Sequence, residues 1–389
     1  MKMKILQVIP YLNPKKGGDV NICCNYSKEL VKRGHDVTIL TTDFELDNDF
    51  LIELENNGIK VIPFRCCVSI AYFFYSPSMR TWVRENLSNY ELIHLHSYRS
   101  YQNNVIREYA SRHSIPYVVQ AHGSLCTFFQ KKTLKKIYDR LWGSRILMGA
   151  NQAIAITQTE ASQYQSMHMD PRKITIIPNA IDIQSYGILP KPGQFKQKYG
   201  IPPESKIIVY LGRIHSSKGL DLLVTAFKEV VETESDVKLV IMGPDDGYRK
   251  IIEDMSISMG LSNSVYFTGF TSEDEKKEGL VDADVFVTPS FWGFPVTFIE
   301  AMFCETPIIT TDRADKIEWI PDVGYITKYN PSDLAKAIIT VLTNNDVRER
   351  FVKNCQPMVI DQFSLTAVVD KLESVYEDIW SNKESRAMK

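Results

Sequence analysis

The chain has 389 residues, 44% of them hydrophobic and 24% charged. That balance excludes fibrous, low-complexity and disordered proteins, and the length suffices for two or three domains of roughly 150 residues. Net charge is −2 but unevenly placed: residues 1–190 hold 22 Lys and Arg against 16 Asp and Glu, a balance of +6, and the remainder holds 23 against 31, a balance of −8. The basic half suits an anionic partner or surface, although a lopsided solvated exterior gives the same count.

In chain order, the first apolar run, Lys4 to Ile9, reads as a strand; Gln7 and Pro10 leave it too short for a signal sequence. Further β-branched runs bounded by Pro, Gly or Asp follow at Asp36 to Thr41, Lys60 to Pro63, Leu92 to His96, Tyr117 to Gln120, Ala153 to Thr157 and Ile174 to Ile177. Between the first two, Val20, Cys23, Cys24, Ser27, Leu30 and Val31 keep a helical period that stops at Gly34. The segment Leu189 to Ser205 holds the densest set of prolines and glycines and reads as a linker. Strands resume at Ile207 to Leu211, Lys238 to Met242, Val265 to Thr268, Asp284 to Thr288 and Pro307 to Thr310. The last amphipathic helix runs from Leu365 to Trp380. Strand and helix alternation predicts two α/β domains with parallel sheets, whose ligands bind beyond the carboxyl ends of the strands.

No stretch reaches 18 uninterrupted apolar residues; the richest, Val285 to Cys304, contains two prolines, Gly293 and Glu300. The seven cysteines lack C-x-x-C spacing and have no histidine at zinc-finger distance, so reduced thiols and a cytoplasmic location are expected.

Several places join residues suited to chemistry. In Leu211-Gly212-Arg213-Ile214-His215-Ser216-Ser217-Lys218-Gly219 a strand ends, two cations follow and a helix begins, the outline of a phosphate or diphosphate site, or else of a solvated loop. In Pro289 to Met302 a glycine-containing loop again leads into a helix, with Pro295 suited to its first position. There the amides of Val296 and Thr297 would face a ligand, and Glu300, one turn on, could accept both hydroxyls of a vicinal diol or simply favour the helix dipole. Gly17-Gly18 after the first strand allows close backbone approach, yet neither half carries the dinucleotide fingerprint. His94 and His96 share one face of a strand and could chelate a metal, although no third ligand is apparent. Asp282-Ala283-Asp284 opens a strand and reads as structural, and Asp245-Asp246 as a turn. The basic, amphipathic stretch 128–145, with Leu134, Ile137, Tyr138 and Leu141 on one face, reads either as a plain surface helix or as one lying on an anionic membrane leaflet.

Taken in order, the Gly17-Gly18 loop, His94-Leu95-His96, His122-Gly123, Ile177-Pro178-Asn179-Ala180-Ile181-Asp182, Gly212-Arg213 to Lys218-Gly219, and Pro289-Ser290 through Glu300-Ala301-Met302 resemble the group-one (family four) retaining glycosyltransferases. The resemblance implies the α/β GT-B fold: two Rossmann-like domains facing a central cleft, with the C-terminal helix crossing back to the first domain. The domains would be 1–187 plus 365–389, on the acceptor side, and 188–364, which binds the nucleotide sugar. Arg213 and Lys218 would stabilise the donor diphosphate with helix amides near Thr297, and His122 would sit beside the transferring sugar. Gly17, Gly18, Phe294, Val296, Thr297 and Glu300 would bind the donor, Glu300 at the ribose. The activity implied is transfer of a hexose-type sugar to a glycan, lipid-linked or small-molecule acceptor in cell-surface polysaccharide or glycoconjugate synthesis. It needs no metal or other cofactor and no nucleic-acid partner, and allows peripheral contact with the cytoplasmic membrane face through 128–145. Two departures bear on it: Trp292 stands where the family has a glutamate, which would alter donor-sugar choice or weaken catalysis, and Glu305 stands where the family has glycine. A non-catalytic sugar-nucleotide-binding protein and a GT-B epimerase or hydrolase of nucleotide sugars are the alternatives.

Overall fold

The computed structural model describes residues 2–14, 18–70, 73–125, 132–291, 293–294 and 296–387. The chain forms two compact units, Met1–Ala180 with Leu365–Lys389, and Ile181–Ser364.

Unit 1 is built on strands β1 (Lys4–Val8), β2 (Asp36–Thr42), β3 (Lys60–Phe64), a small hairpin β4 (Val68–Ile70) and β5 (Phe73–Tyr75), then β6 (Leu92–His96), β7 (Tyr117–Gln120), β8 (Gln152–Ala155) and β9 (Ile174–Ile176). Apart from the hairpin they form one parallel sheet in the order β3-β2-β1-β6-β7-β8-β9. Every residue of β6 and β7 is buried, as expected of a parallel strand covered by helices on both faces. The helix Gly18–Lys32 buries Val20, Cys23, Cys24, Ser27 and Leu30 as its period predicts, and the chain leaves it through Gly34 at φ 93°. The terminal helix Leu365–Ala387 closes the same unit. Its Val368, Val369, Leu372 and Tyr376 are fully buried against Ile5, Tyr26, Leu92, Val118 and Ile154. Arg33 holds it at the rim, within 2.6 Å of Asp370 and 2.8 Å of Glu373.

Unit 2 carries β10 (Lys206–Leu211), β11 (Val237–Met242), β12 (Val265–Gly269), β13 (Val285–Thr288), β14 (Ile308–Thr311) and β15 (Gly324–Thr327), all parallel, in the order β12-β11-β10-β13-β14-β15. The strand β15 had no counterpart in the sequence reading. It starts at a glycine because a Cβ there would meet the Ile308 carbonyl oxygen at 1.7 Å.

The breaker-rich segment 189–205 belongs to unit 2 and does not bound it. Its helix Gln194–Tyr199 buries Phe195, and Asp282 accepts from the Gly193 and Lys196 amides. The division falls earlier because Ile181 donates to the Phe363 carbonyl, tying the chain to unit 2 at that residue.

Candidate active site

Each sheet reverses its winding once, between β1 and β6 in unit 1 and between β10 and β13 in unit 2. Loops leaving neighbouring strands on opposite faces open a crevice there, where α/β sheets bind ligands. The candidate residues fall at both points.

In unit 2 the loops after β10 and β11 are laced together. Gly212 donates to the Met242 carbonyl, Ile214 to that of Pro244 and Asp246 to that of Ile214, at 2.9–3.0 Å. This closeness requires glycine at 243, where φ is 135° and a Cβ would meet the Gly212 carbonyl oxygen at 2.1 Å. The lacing brings Asp246 within 2.7 Å of the Arg213 guanidinium. Both side chains are exposed, so the pair is worth at most about 1 kcal/mol and a phosphate can displace it. Lys218 differs. It ends the short 3₁₀ turn Ser216–Lys218, it is half-buried, and its ammonium has no ion pair or hydrogen bond among the described residues. Burial, then the charge of Arg213, lowers its pKa. Two neighbouring cations, one lacking any carboxylate, make a site that gains from an anion.

Gly219, at φ 72°, lets this loop rest on Pro289, just past β13. The loop after β13 is anchored from below. Phe291 meets Phe298 edge-to-face at 4.8 Å, Phe294 packs against Trp319 and Phe363, and Thr311 donates to the Pro289 carbonyl. The Gly293 amide donates to Asp315, whose pKa burial raises. Phe294 is thus buried by its ring. Trp292 and Pro295 lie outside the described residues. The next helix starts at Val296, so the Val296 and Thr297 amides belong to its first turn, where backbone donors have no partner within the helix itself. Glu300 follows, buried, with Oε1 at 2.6 Å from Lys276 Nζ.

Asp284 accepts from the Ile207 amide and Asp245 from the amides of Gly247, Tyr248 and Arg249, the structural and turn roles their positions suggested.

In unit 1, Gly18 opens its helix and Gly17 lies outside the described residues. Asp19 accepts from Ser97 Oγ at 3.0 Å, joining the segments after β1 and β6. Three imidazoles line up behind it. His94 and His96 stack with ring centres 4.2 Å apart, and His96 Nδ1 lies 2.9 Å from His122 Nε2. His96 also bonds Gln7 and His94 bonds Tyr376 of the terminal helix, at 2.8 and 2.7 Å. Burial pushes His94 down to about 3 and His122 to about 4, so these rings act as neutral hydrogen-bonding groups near pH 7. His94 and His96 stack where a chelate would converge, and among the described residues no group of three His, Cys, Asp or Glu is placed to hold a metal ion. His122 itself sits at φ 52°, a strained conformation for a side-chain-bearing residue. It is held there by two contacts sequence reasoning missed: the Ala121 amide donates to Tyr164, and the Gly123 amide to the buried carboxylate of Glu160.

The stretch 128–145 is helical where it is described, but not purely α-helical. Residues 128–131 lie outside the described residues, and the rest forms a helix Lys132–Tyr138, a π turn Asp139–Gly143 and a helix Ser144–Gly149. Tyr138 points inward, donating to the Ser100 carbonyl, whereas Leu134, Ile137 and Leu141 are exposed.

The sequence model for glycosyl transferases group 1 matches residues 193–357, and that for Glycosyltransferase Family 4 matches residues 16–185. The chain belongs to this glycosyltransferase family. It is 26% identical over 393 residues to the uncharacterized glycosyltransferase MJ1607 of Methanocaldococcus jannaschii, covering 96% of this chain and 98% of that one. It is 24% identical to the UDP-Gal:alpha-D-GlcNAc-diphosphoundecaprenol alpha-1,3-galactosyltransferase of Escherichia coli, covering 76% and 77%. Among solved structures, HepE of Anabaena in complex with UDP and glucose aligns over 97% of this chain and 100% of that one, with TM-score 0.77 and 18% identity. The fold of this glycosyltransferase is α/β GT-B.

Proposed function

We propose that this glycosyltransferase transfers a hexose-type sugar from a nucleoside diphosphate donor to a glycan or lipid-linked acceptor, with retained anomeric configuration. The reading rests above all on Lys218: a half-buried ammonium with no carboxylate to balance it among the described residues, beside Arg213 at the winding reversal of unit 2. As the sugar departs, negative charge grows on the diphosphate, and these cations with the Val296 and Thr297 amides stabilise it. No metal enters this account. Glu300 accepts hydroxyls of the ribose, and His122, neutral and fixed in direction, hydrogen-bonds the transferring sugar. The complex of HepE with UDP makes uridine diphosphate the first donor nucleotide to try, and the lipid-linked substrate named for the Escherichia coli relative makes a lipid-linked acceptor worth trying. Retention follows the family resemblance.

Exposed Leu134, Ile137, Leu141, Trp142 and Met148, set among Lys135, Lys136, Arg140 and Arg145, support a peripheral membrane contact at the cytoplasmic face. The one acidic residue in that run, Asp139, is paired with Arg99.

Replacing Arg213 or Lys218 by Ala is expected to lower turnover by roughly 10²-fold or more, as loss of a transition-state anion donor does. Near-normal rates in both variants, measured with a donor the wild type uses, would defeat the proposal.

A further inference from the structure

Lys276 lies on the helix Glu273–Val281, in the run Glu273-Asp274-Glu275-Lys276-Lys277-Glu278 that reads as a solvated face. Instead its ammonium is turned inward. Nζ lies 2.6 Å from Glu300 Oε1, with the two side chains only 13% and 11% exposed, and 2.6 Å from Glu273 Oε2, whose side chain is 77% exposed. The exposed partner contributes little. The buried one matters, because a carboxylate taken from water is costly unless a cation or hydrogen bonds compensate it. Tyr186, at the end of the helix Ile183–Tyr186, is buried with its ring 5.2 Å from Phe303 and its hydroxyl without a hydrogen bond of ordinary geometry. Burial, then the charge of Glu300, raises its pKa. The Cys304 thiol, also beside Glu300, is pushed up to about 12 by burial and that same charge. Among the described residues Glu300 has one ion pair, with Lys276 from the helix Glu273–Val281.

We propose that Lys276 is a positioning residue for ribose recognition: it balances the Glu300 carboxylate and anchors one oxygen, so that the other oxygen and the remaining lone pairs face the vicinal hydroxyls of a bound nucleotide. A carboxylate has about four lone-pair directions, so one ammonium does not exhaust it. The inference rests on the reading of Glu300 as the ribose contact.

Calorimetry with UDP and with 2′,3′-dideoxy-UDP tests it. The wild type is expected to prefer UDP by about tenfold or more, the scale of hydrogen bonds to a charged group. Lys276→Met should weaken UDP about tenfold while leaving the dideoxy compound within about twofold, and Lys276→Arg should restore the preference. Glu300→Gln should resemble Lys276→Met, and the double variant should lose no more than either single one, since both remove one interaction. Thermal melts of each variant identify those that fail to fold, and Lys276→Arg and Glu300→Gln, which keep length and shape, then carry the comparison. Equal weakening of both nucleotides by Lys276→Met, or Glu300→Gln additive with it, overturns the inference and leaves the ribose reading of Glu300 standing. If Glu300→Gln keeps the full UDP preference, the ribose reading fails and this inference with it.

Discussion

Glu305 shows how one side chain can sit against its backbone. It follows the helix Val296–Phe303 at φ 61°, with its amide donating to Met302 and that of Thr306 to Ala301, the closing bonds of a helix end that glycine makes without strain. A residue with a Cβ gives up about 1–2 kcal/mol in that conformation. Glu305→Gly is expected to stabilise the protein, by less than about 1 kcal/mol because glycine also loosens the unfolded chain. A urea titration reads the difference; a net loss would mean that the Glu305 side chain contributes a contact of its own. At this scale the sequence was informative where chemistry follows from local setting: Arg213, Lys218 and Glu300 stand where a strand hands over to a helix. It was silent on Lys276, Asp315 and Glu160, whose partners lie 24, 22 and 37 residues away. Nothing near them in the chain marks an inward-facing charge.

Among the elements, the terminal helix is the most consequential. Leu372 is fully buried in a cluster with residues from β1, β2, β6, β7 and β8, so Leu372→Ala should cost about 2–5 kcal/mol, readable as a lower denaturation midpoint. An unchanged midpoint would show that the helix is not needed for the core. Its rim is electrostatic. Burial works against the Glu373 carboxylate, but hydrogen bonds from Arg33 and His35 outweigh it and hold the pKa below the usual value of 4.5. That contribution is complete above the unfolded carboxyl's ordinary value and fades as pH falls through the lowered one. Strands with dense β-branched runs were legible, whereas β15 was not, since its Gly324 and the preceding Pro321-Asp322 look like loop. The hairpin β4–β5 escaped too, each strand being only three residues long. The basic stretch was legible as amphipathic, but not the π turn within it.

For the whole molecule, the imidazole stack predicts sensitivity to acid. His94 and His96 are fully buried, and burial lowers both pKa values, that of His94 to about 3 from an ordinary 6.5. Between those values the unfolded chain binds protons that the native one refuses, so stability falls as pH drops from about 6.5, by roughly 1.4 kcal/mol per pH unit for each ring. Thermal melts across pH 7 to 4.5 should show that decline; a flat profile would contradict neutral buried rings.

Unit 1 draws on sequence from both sides of unit 2, and that fixes an order of assembly during synthesis. Residues 181–364 form a continuous stretch that can close as soon as it leaves the ribosome, but the sheet of residues 1–180 waits with part of one apolar face bare until the helix after Leu365 arrives. The earlier-made half is thus the later to mature, and its uncovered face is where a holding chaperone would find the nascent protein.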